Sequence, residues 1–419
     1  MPQAASAAPQ ATNELATASQ AAGTAMGGTA PEVAGPERQV ANAIPRVSVI
    51  IPICNVEDFL DQCLNSVRAQ TLEALEILCL NDGSTDGSSA IMHAHAAEDA
   101  RIVCVDKANE GYGATCNRGL DMARGEYVAI VEPDDYLLPG MFEEMLQLGS
   151  SLGGNIDIIK TPWYDLAEWN NPETFKQKPS LLCGALETSK APFTVEAAPV
   201  LLETHPSIWS ALYRRAFLNE QGIRFRPYPG AGWADNPFLI DTLCRANSIA
   251  YLDKPFYCYR TDLPGSTKNH STPEKVAMPL NRWLEMTEML KQLGVTDKGI
   301  WLAHTLRGFN YVNGAILDDG WDNPVVQEKT QQVFALIPAE YVVGCKKLSV
   351  AKKRFYFEVT GQPAPKLSPV PYAGYLASRA AQAVRVQGVG FLVKDTLRFV
   401  GNKLHKQGME EREQKAAHE

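Results

Sequence analysis

The chain has 419 residues, 45% of them hydrophobic and 21% charged, the mixture of a globular protein with room for two or three domains. Asp and Glu outnumber Lys and Arg 48 to 39, for a formal charge of −9, the wrong sign for a protein that wraps nucleic acid along its surface. No stretch reaches the roughly 20 apolar residues of a membrane-crossing helix, and nine scattered cysteines without paired spacing read as free thiols in a reducing compartment.

Residues 1–44 are rich in Ala, Thr, Gln, Gly and Pro and lack the charged start and apolar middle of a secretory signal, so a disordered leader is expected. Val47 to Ile51 is a β-branched run closed by Pro52, the pattern of a strand buried on both faces. Phe59, Leu60, Cys63, Leu64 and Val67 then fall on one helical face. Further apolar runs begin at Leu75, Ile102 and Tyr127, each 25 to 28 residues after the last, the spacing of repeated strand–helix units. The second run stops at Asn81-Asp82-Gly83-Ser84-Thr85-Asp86, the third precedes a turn with Gly111 and Gly113, and the fourth ends at Glu132-Pro133-Asp134-Asp135. Open α/β sheets bind ligands at the carboxyl ends of their strands, so these loops are expected to converge on one crevice.

Beyond residue 165 prolines and aromatics multiply, residues 276–362 read as helical, and a Pro-rich linker leads into a basic amphipathic tail at 363–419. Between Pro365 and Lys406 the tail carries seven basic residues against one acid, Asp395, and Val389, Val393, Leu397, Val400 and Leu404 form an apolar helical stripe. Such a helix fits a membrane interface with anionic headgroups, or a face of the protein itself. The expected placement is cytoplasmic, peripheral on the inner face of the cell membrane.

Carboxylates clustered in two loops repel one another unless a cation offsets them, and hard oxygen ligands suit Mg²⁺ or Mn²⁺. Ser48-Val49-Ile50-Ile51-Pro52 with Asn55, then Asn81 to Asp86, then Gly125-Glu126-Tyr127 running into Glu132 to Asp135, together resemble the family-2 glycosyltransferases of GT-A fold. The resemblance continues more loosely through Trp209, Tyr213-Arg214-Arg215, Ala234-Asp235-Asn236-Pro237-Phe238 and Tyr257-Cys258-Tyr259-Arg260.

It implies a mainly parallel, helix-flanked sheet over 45–165, a mixed acceptor subdomain over 166–275 and a helical C-terminal extension. It also implies transfer of a sugar, with inversion, from a nucleotide-diphosphate donor to a hydroxyl of a glycan or lipid-linked acceptor. On that resemblance Pro52, Asn55 and Asp82 line the base pocket of a UDP-type donor, Asp134 holds the metal with Asp135 close by, and Glu132 lies near ribose or metal. Asp235 matches the general base. The Gly111 turn is expected to let backbone approach the donor, with Asn117 and Arg118 on the helix that follows. Glu132 stands where the family has Asp, Cys54 where many members have Tyr, and Ala234 where Glu or Gln is common.

Two other readings compete. A nucleotidyltransferase would show a Gly-rich basic loop after the first strand, whereas Pro52 to Asp61 has no Gly, Lys or Arg. A catalytically silent nucleotide-sugar-binding module would not need both Asp134 and Asp235.

Overall fold

The computed structural model describes residues 44–261, 263 and 272–388. Its strands are β1 Val47–Ile53, β2 Leu75–Asp82, β3 Ile102–Lys107, β4 Tyr127–Ile130, β5 Tyr136–Leu137, β6 Ile158–Lys160, β7 Trp163–Ala167, β8 Lys176–Pro179, β9 Ala211–Arg214, β10 Ile249–Tyr251 and β11 Tyr257–Arg260. Its helices are α1 Glu57–Arg68, α2 Ser88–Glu98, α3 Tyr112–Met122, α4 Met141–Ser151, α5 Arg215–Glu220, α6 Asp235–Arg245, α7 Pro273–Gln292, α8 Lys298–Asp319, α9 Pro324–Ala335, α10 Ala339–Gly344, α11 Val350–Thr360 and α12 Val370–Gln387.

Seven strands form one sheet in the order β10-β6-β9-β4-β1-β2-β3. β1 pairs in parallel with β2 and β4, and β2 in parallel with β3, so the first four units are a parallel α/β sheet as the spacing predicts. β1 and β2 are buried along their whole length because helices cover both faces. β3 differs: it is the sheet edge, and Val103 is left 38% exposed.

The stretch 166–275 sends β9 and β10 back into this sheet, and β9 runs antiparallel between β4 and β6. That sewing is anchored by Asp157, which accepts from Arg214 (2.6 Å) and from the Asn247 and Ser248 amides. A second sheet, β5-β11-β7-β8, stands over the end of β4. It places Arg260, at the end of β11, beside the turn that follows β4.

The helices from α7 to α11 pack on one another and, through α7, on α6. Their interior holds Trp283, Phe334 and Tyr356, together with the buried polar side chains His304 and Arg307. Sequence caps set their starts: Thr272, Asp297, Asn323 and Ser349 each accept a first-turn amide.

α12 buries none of its residues, yet Arg379, Gln382 and Arg385 donate to the carbonyls of Leu181, Cys183 and Gly184. This part of the basic tail therefore docks on the loop after β8. The apolar stripe from Val389 to Leu404 lies outside the described residues. Among the described residues no helix is long and apolar enough to cross a membrane. All nine cysteines are free thiols, as their spacing predicts.

Candidate active site

The carboxyl ends of β1, β2, β3 and β4 are brought together by register. Ile53 lies opposite Asn81, and Asp82 opposite Lys107. Pro52 is a buried strand residue. Asn55 adopts the left-handed conformation (φ 53°) that Asn tolerates better than most residues. Its side-chain oxygen accepts the Thr85 amide at 2.8 Å, and its own amide donates to Ser84 Oγ at 3.0 Å. The loops after β1 and β2 are thus one unit, closed further by Asp86, which accepts the Glu57 amide at the start of α1.

Three residues expected on the donor also organise the protein's own backbone. Asp82 is buried, and its carboxylate accepts from Lys107 Nζ, the Glu110 amide (2.8 Å) and the Gly111 amide (2.9 Å). These donors hold its pKa below the usual carboxylate range against the opposing effect of burial. Lys107 reaches it because the two residues are register partners, a pairing hidden from the linear sequence. Three donors of the chain itself thus fill part of the carboxylate's acceptor capacity, two on Oδ1 and one on Oδ2.

Gly111 has φ 90°, and a Cβ there would sit 2.7 Å from the Tyr228 carbonyl. What approaches it is the chain's own segment 228–230, and the Tyr112 amide donates to the Gly230 carbonyl. Asn117 spends its amide on both backbone groups of Phe225. The helix face that carries it is a seam to the segment at Phe225, whereas Arg118 is exposed.

The acidic turn after β4 is built differently. Glu132 is half-buried; its amide donates to Tyr257 Oη (3.1 Å), and its Oε1 accepts from the Tyr112 hydroxyl at 2.6 Å. Burial, the Asp134 charge and the Asp235 charge push its pKa up to about 8 against that one hydrogen bond. Asp134 is also half-buried, with a pKa raised by burial and opposed in part by Arg260.

Asp135, expected near the metal, is placed inside the protein instead. Its carboxyl is buried and accepts the Arg260 amide at 2.8 Å. Arg260 completes the brace by donating to the Asp134 carbonyl and to Gln62, its guanidinium set 5.1–5.4 Å from the rings of Phe59, Tyr136 and Trp169. The sequence reading placed Arg260 only in a loosely matching segment. Of the two residues that hydrogen-bond Glu132, Tyr257 lies in that same segment, and Tyr112 carries no signal of its own.

Asp235 begins α6 after a loop in which Gly230, Gly232 and Trp233 all have positive φ. It is half-buried, and its Oδ1 accepts from Asn236 Nδ2 at 3.1 Å. Burial lifts its pKa to about 6, held from rising further by the Arg307 charge. Trp233 meets the ring of Tyr311 edge-on at 5.5 Å, a packing contact with α8. The fold therefore brings Asp235, a hundred residues from the acidic turn, within electrostatic reach of Glu132.

Among the described residues no group of three or more His, Cys, Asp or Glu side chains is arranged to cage a metal. Two neighbouring carboxylates, Glu132 and Asp134, fit the other kind of site, in which Mg²⁺ or Mn²⁺ is held by one or two carboxylates and completed by substrate phosphates.

Comparison with known proteins bears on this geometry. The family model described as "Glycosyl transferase family 2" matches residues 48–198. The uncharacterized glycosyltransferase EpsJ of Bacillus subtilis is 30% identical over 246 residues, 56% of this chain and 66% of that protein. Glycosyltransferase GlyA of Streptococcus pneumoniae is 40% identical over 222 residues, 51% of this chain and 30% of that protein. The chain thus spans just under two thirds of the first of these relatives and less than a third of the second. A crystal structure of S. aureus TarS 1-349 in complex with UDP-GlcNAc superposes with a TM-score of 0.60 at 19% identity, covering 76% of this chain and 93% of that one. At that identity the likeness is one of fold.

Proposed function

Because the chain belongs to the family-2 glycosyltransferases, we propose that its crevice transfers a sugar from a nucleotide-diphosphate donor to a hydroxyl of a glycan or lipid-linked acceptor. The observation that carries this is the set of acids at the carboxyl edge. Glu132 is pushed to about 8 first by burial and then by the charges of Asp134 and Asp235, which lie on two different segments. Mutually repelling carboxylates are costly to the fold and become useful when a cation and a phosphorylated ligand complete the site. A UDP-sugar is the donor this reading selects, in keeping with the UDP-GlcNAc bound by TarS.

Asp134 and Glu132 would hold Mg²⁺ or Mn²⁺, which supplies charge neutralisation for the departing diphosphate. Asn55, joined to the Ser84 hydroxyl and the Thr85 amide, would fix the floor on which the nucleotide lies. Asp82 fixes the 107–111 wall of that pocket. Asp235, with a pKa of about 6, is mostly carboxylate at neutral pH and so able to take the proton of the acceptor hydroxyl as it attacks. Attack from the Asp235 side, opposite the diphosphate, inverts the anomeric configuration.

The test is incubation of the full chain with a panel of nucleotide sugars and Mn²⁺. Product analysis by NMR should show one UDP-sugar consumed and the opposite anomer formed. Retention of configuration, or no consumption of any nucleotide sugar, contradicts the reading.

A further inference from the structure

The helical region is more than a support for the sheet, because one of its side chains reaches the reacting end of α6. Arg307, on α8, is 1% exposed. Its Nε donates to the Leu202 carbonyl at 2.9 Å and its Nη2 to the Thr204 carbonyl at 2.7 Å. Its Nη1 donates to Asn236 Oδ1 at 2.9 Å and to the Tyr311 hydroxyl at 3.0 Å, and that hydroxyl donates in turn to Asn236 Oδ1. With its oxygen held twice, the Asn236 amide has one orientation, and its Nδ2 points at Asp235 Oδ1.

A buried guanidinium loses hydration and is normally matched by a carboxylate. Here the four acceptors are neutral: two carbonyls, an amide oxygen and a phenol. The charge is felt by its surroundings instead. With burial, it helps pull Lys160 down to about 7 and His304 down to about 3, and it opposes the rise of Asp235.

We infer that Arg307 and Asn236 are positioning residues for the transfer reaction, a relay from α8 that fixes the Asp235 carboxylate in the orientation that receives the acceptor proton. The inference rests on Asp235 acting as the base. It lies outside the stretch matched by the family model, which ends at residue 198. It also assigns the helical region a task that its sequence, read as packing helices, does not suggest.

The groups that face Asp235 define what a pH profile reports. They are Glu132 from the turn after β4, Tyr112 on α3, Tyr259 on β11, and Tyr311 and Arg307 on α8. Of these, Arg307 alone brings a positive charge. Its removal therefore raises the affinity of Asp235 for a proton, and the acid limb of kcat moves to higher pH.

The experiment measures kcat against pH at saturating donor for the wild type, Arg307→Met, Asn236→Asp and Asp235→Asn, each checked for folding by circular dichroism. Asn236→Asp keeps the shape and pairs with Arg307, so it serves where Arg307→Met fails to fold; it loses the donor to Asp235 and adds a second negative charge. Both relay variants should lose up to about 100-fold in kcat near the base pKa, and distinctly less about two pH units above it, with donor KM unchanged. A loss equal at all pH values, or none, with Asp235→Asn still inactive, overturns the relay and leaves the base in place. Full transfer by Asp235→Asn overturns the base assignment, and the relay falls with it.

Discussion

At the amino-terminal end of the sheet, Glu76 is buried, and its hydrogen-bond partners are donors. Ser48 Oγ donates at 2.6 Å, and the amide and Nε of Arg124 donate at 3.0 and 2.5 Å. At the carboxyl end, Glu132 has one hydroxyl, and its charged neighbours are Asp134 and Asp235. Glu76 lies on β2 and Glu132 in the turn after β4, the two strands that flank β1 in one sheet, and they differ in what surrounds them. An acid ringed by donors is a device of the fold; an acid beside other acids costs the fold, and the proposed function gives that cost a use. The difference is measurable, because the two ends should answer the same kind of substitution with opposite signs.

The largest effect is expected at the carboxyl end, in activity. Asp235→Asn should keep donor binding and the fold while transfer falls by roughly 10²–10⁴-fold, the range for losing a general base. In the wild type, kcat should fall below about pH 6 as Asp235 takes up a proton. If donor affinity collapsed while bound donor still turned over, Asp235 would be a binding residue.

Next in size is a stability effect at the other end. Glu76→Gln keeps the shape but weakens three hydrogen bonds to a buried carboxylate, at a cost of about 1–3 kcal/mol. Transfer per folded molecule should be unchanged. A melting temperature equal to wild type would break the comparison at its structural end.

The smallest effect has the opposite sign. The folded-state pKa of Glu132, about 8, lies above its unfolded value, so between about pH 4.5 and 8 the folded chain binds more protons than the unfolded one. Its contribution to stability is therefore lost as pH rises through that window. Glu132→Gln, melted in metal-free buffer at neutral pH, should gain about 0.5–2 kcal/mol, the trade of stability for activity met at functional sites. A destabilised Glu132→Gln would mean that Tyr112 satisfies the carboxylate and that the repulsion is not felt.

The contrast also explains what could be read from the chain alone. The first four strands were legible because β1 and β2 are buried on both faces and their apolar runs are continuous. Asp134 stands out as part of an acidic loop at a strand end, and Asp235 only through the resemblance to the family-2 glycosyltransferases. The fates of Asp82, Gly111 and Asn117 were not legible. Each is decided by a partner set by register or by a returning segment: Lys107 across the sheet, the 228–230 backbone, and Phe225.

Asp135 shows the same limit from the other side. Within the acidic run it is indistinguishable from Asp134, and only the arrival of β11 turns one inward to the Arg260 amide and leaves the other at the crevice. Arg307 lies further still from any motif. Its role depends on two carbonyls at 202 and 204 and an amide at 236 meeting in space.

The most direct test of the account is isothermal titration of UDP into the wild type and Asp134→Ala, each with and without Mn²⁺. The account predicts that the wild type binds UDP far more tightly with Mn²⁺ than without it, and that Asp134→Ala, folded by circular dichroism, loses this metal dependence. Equal UDP affinity in the presence and absence of Mn²⁺, unaltered in Asp134→Ala, would contradict it.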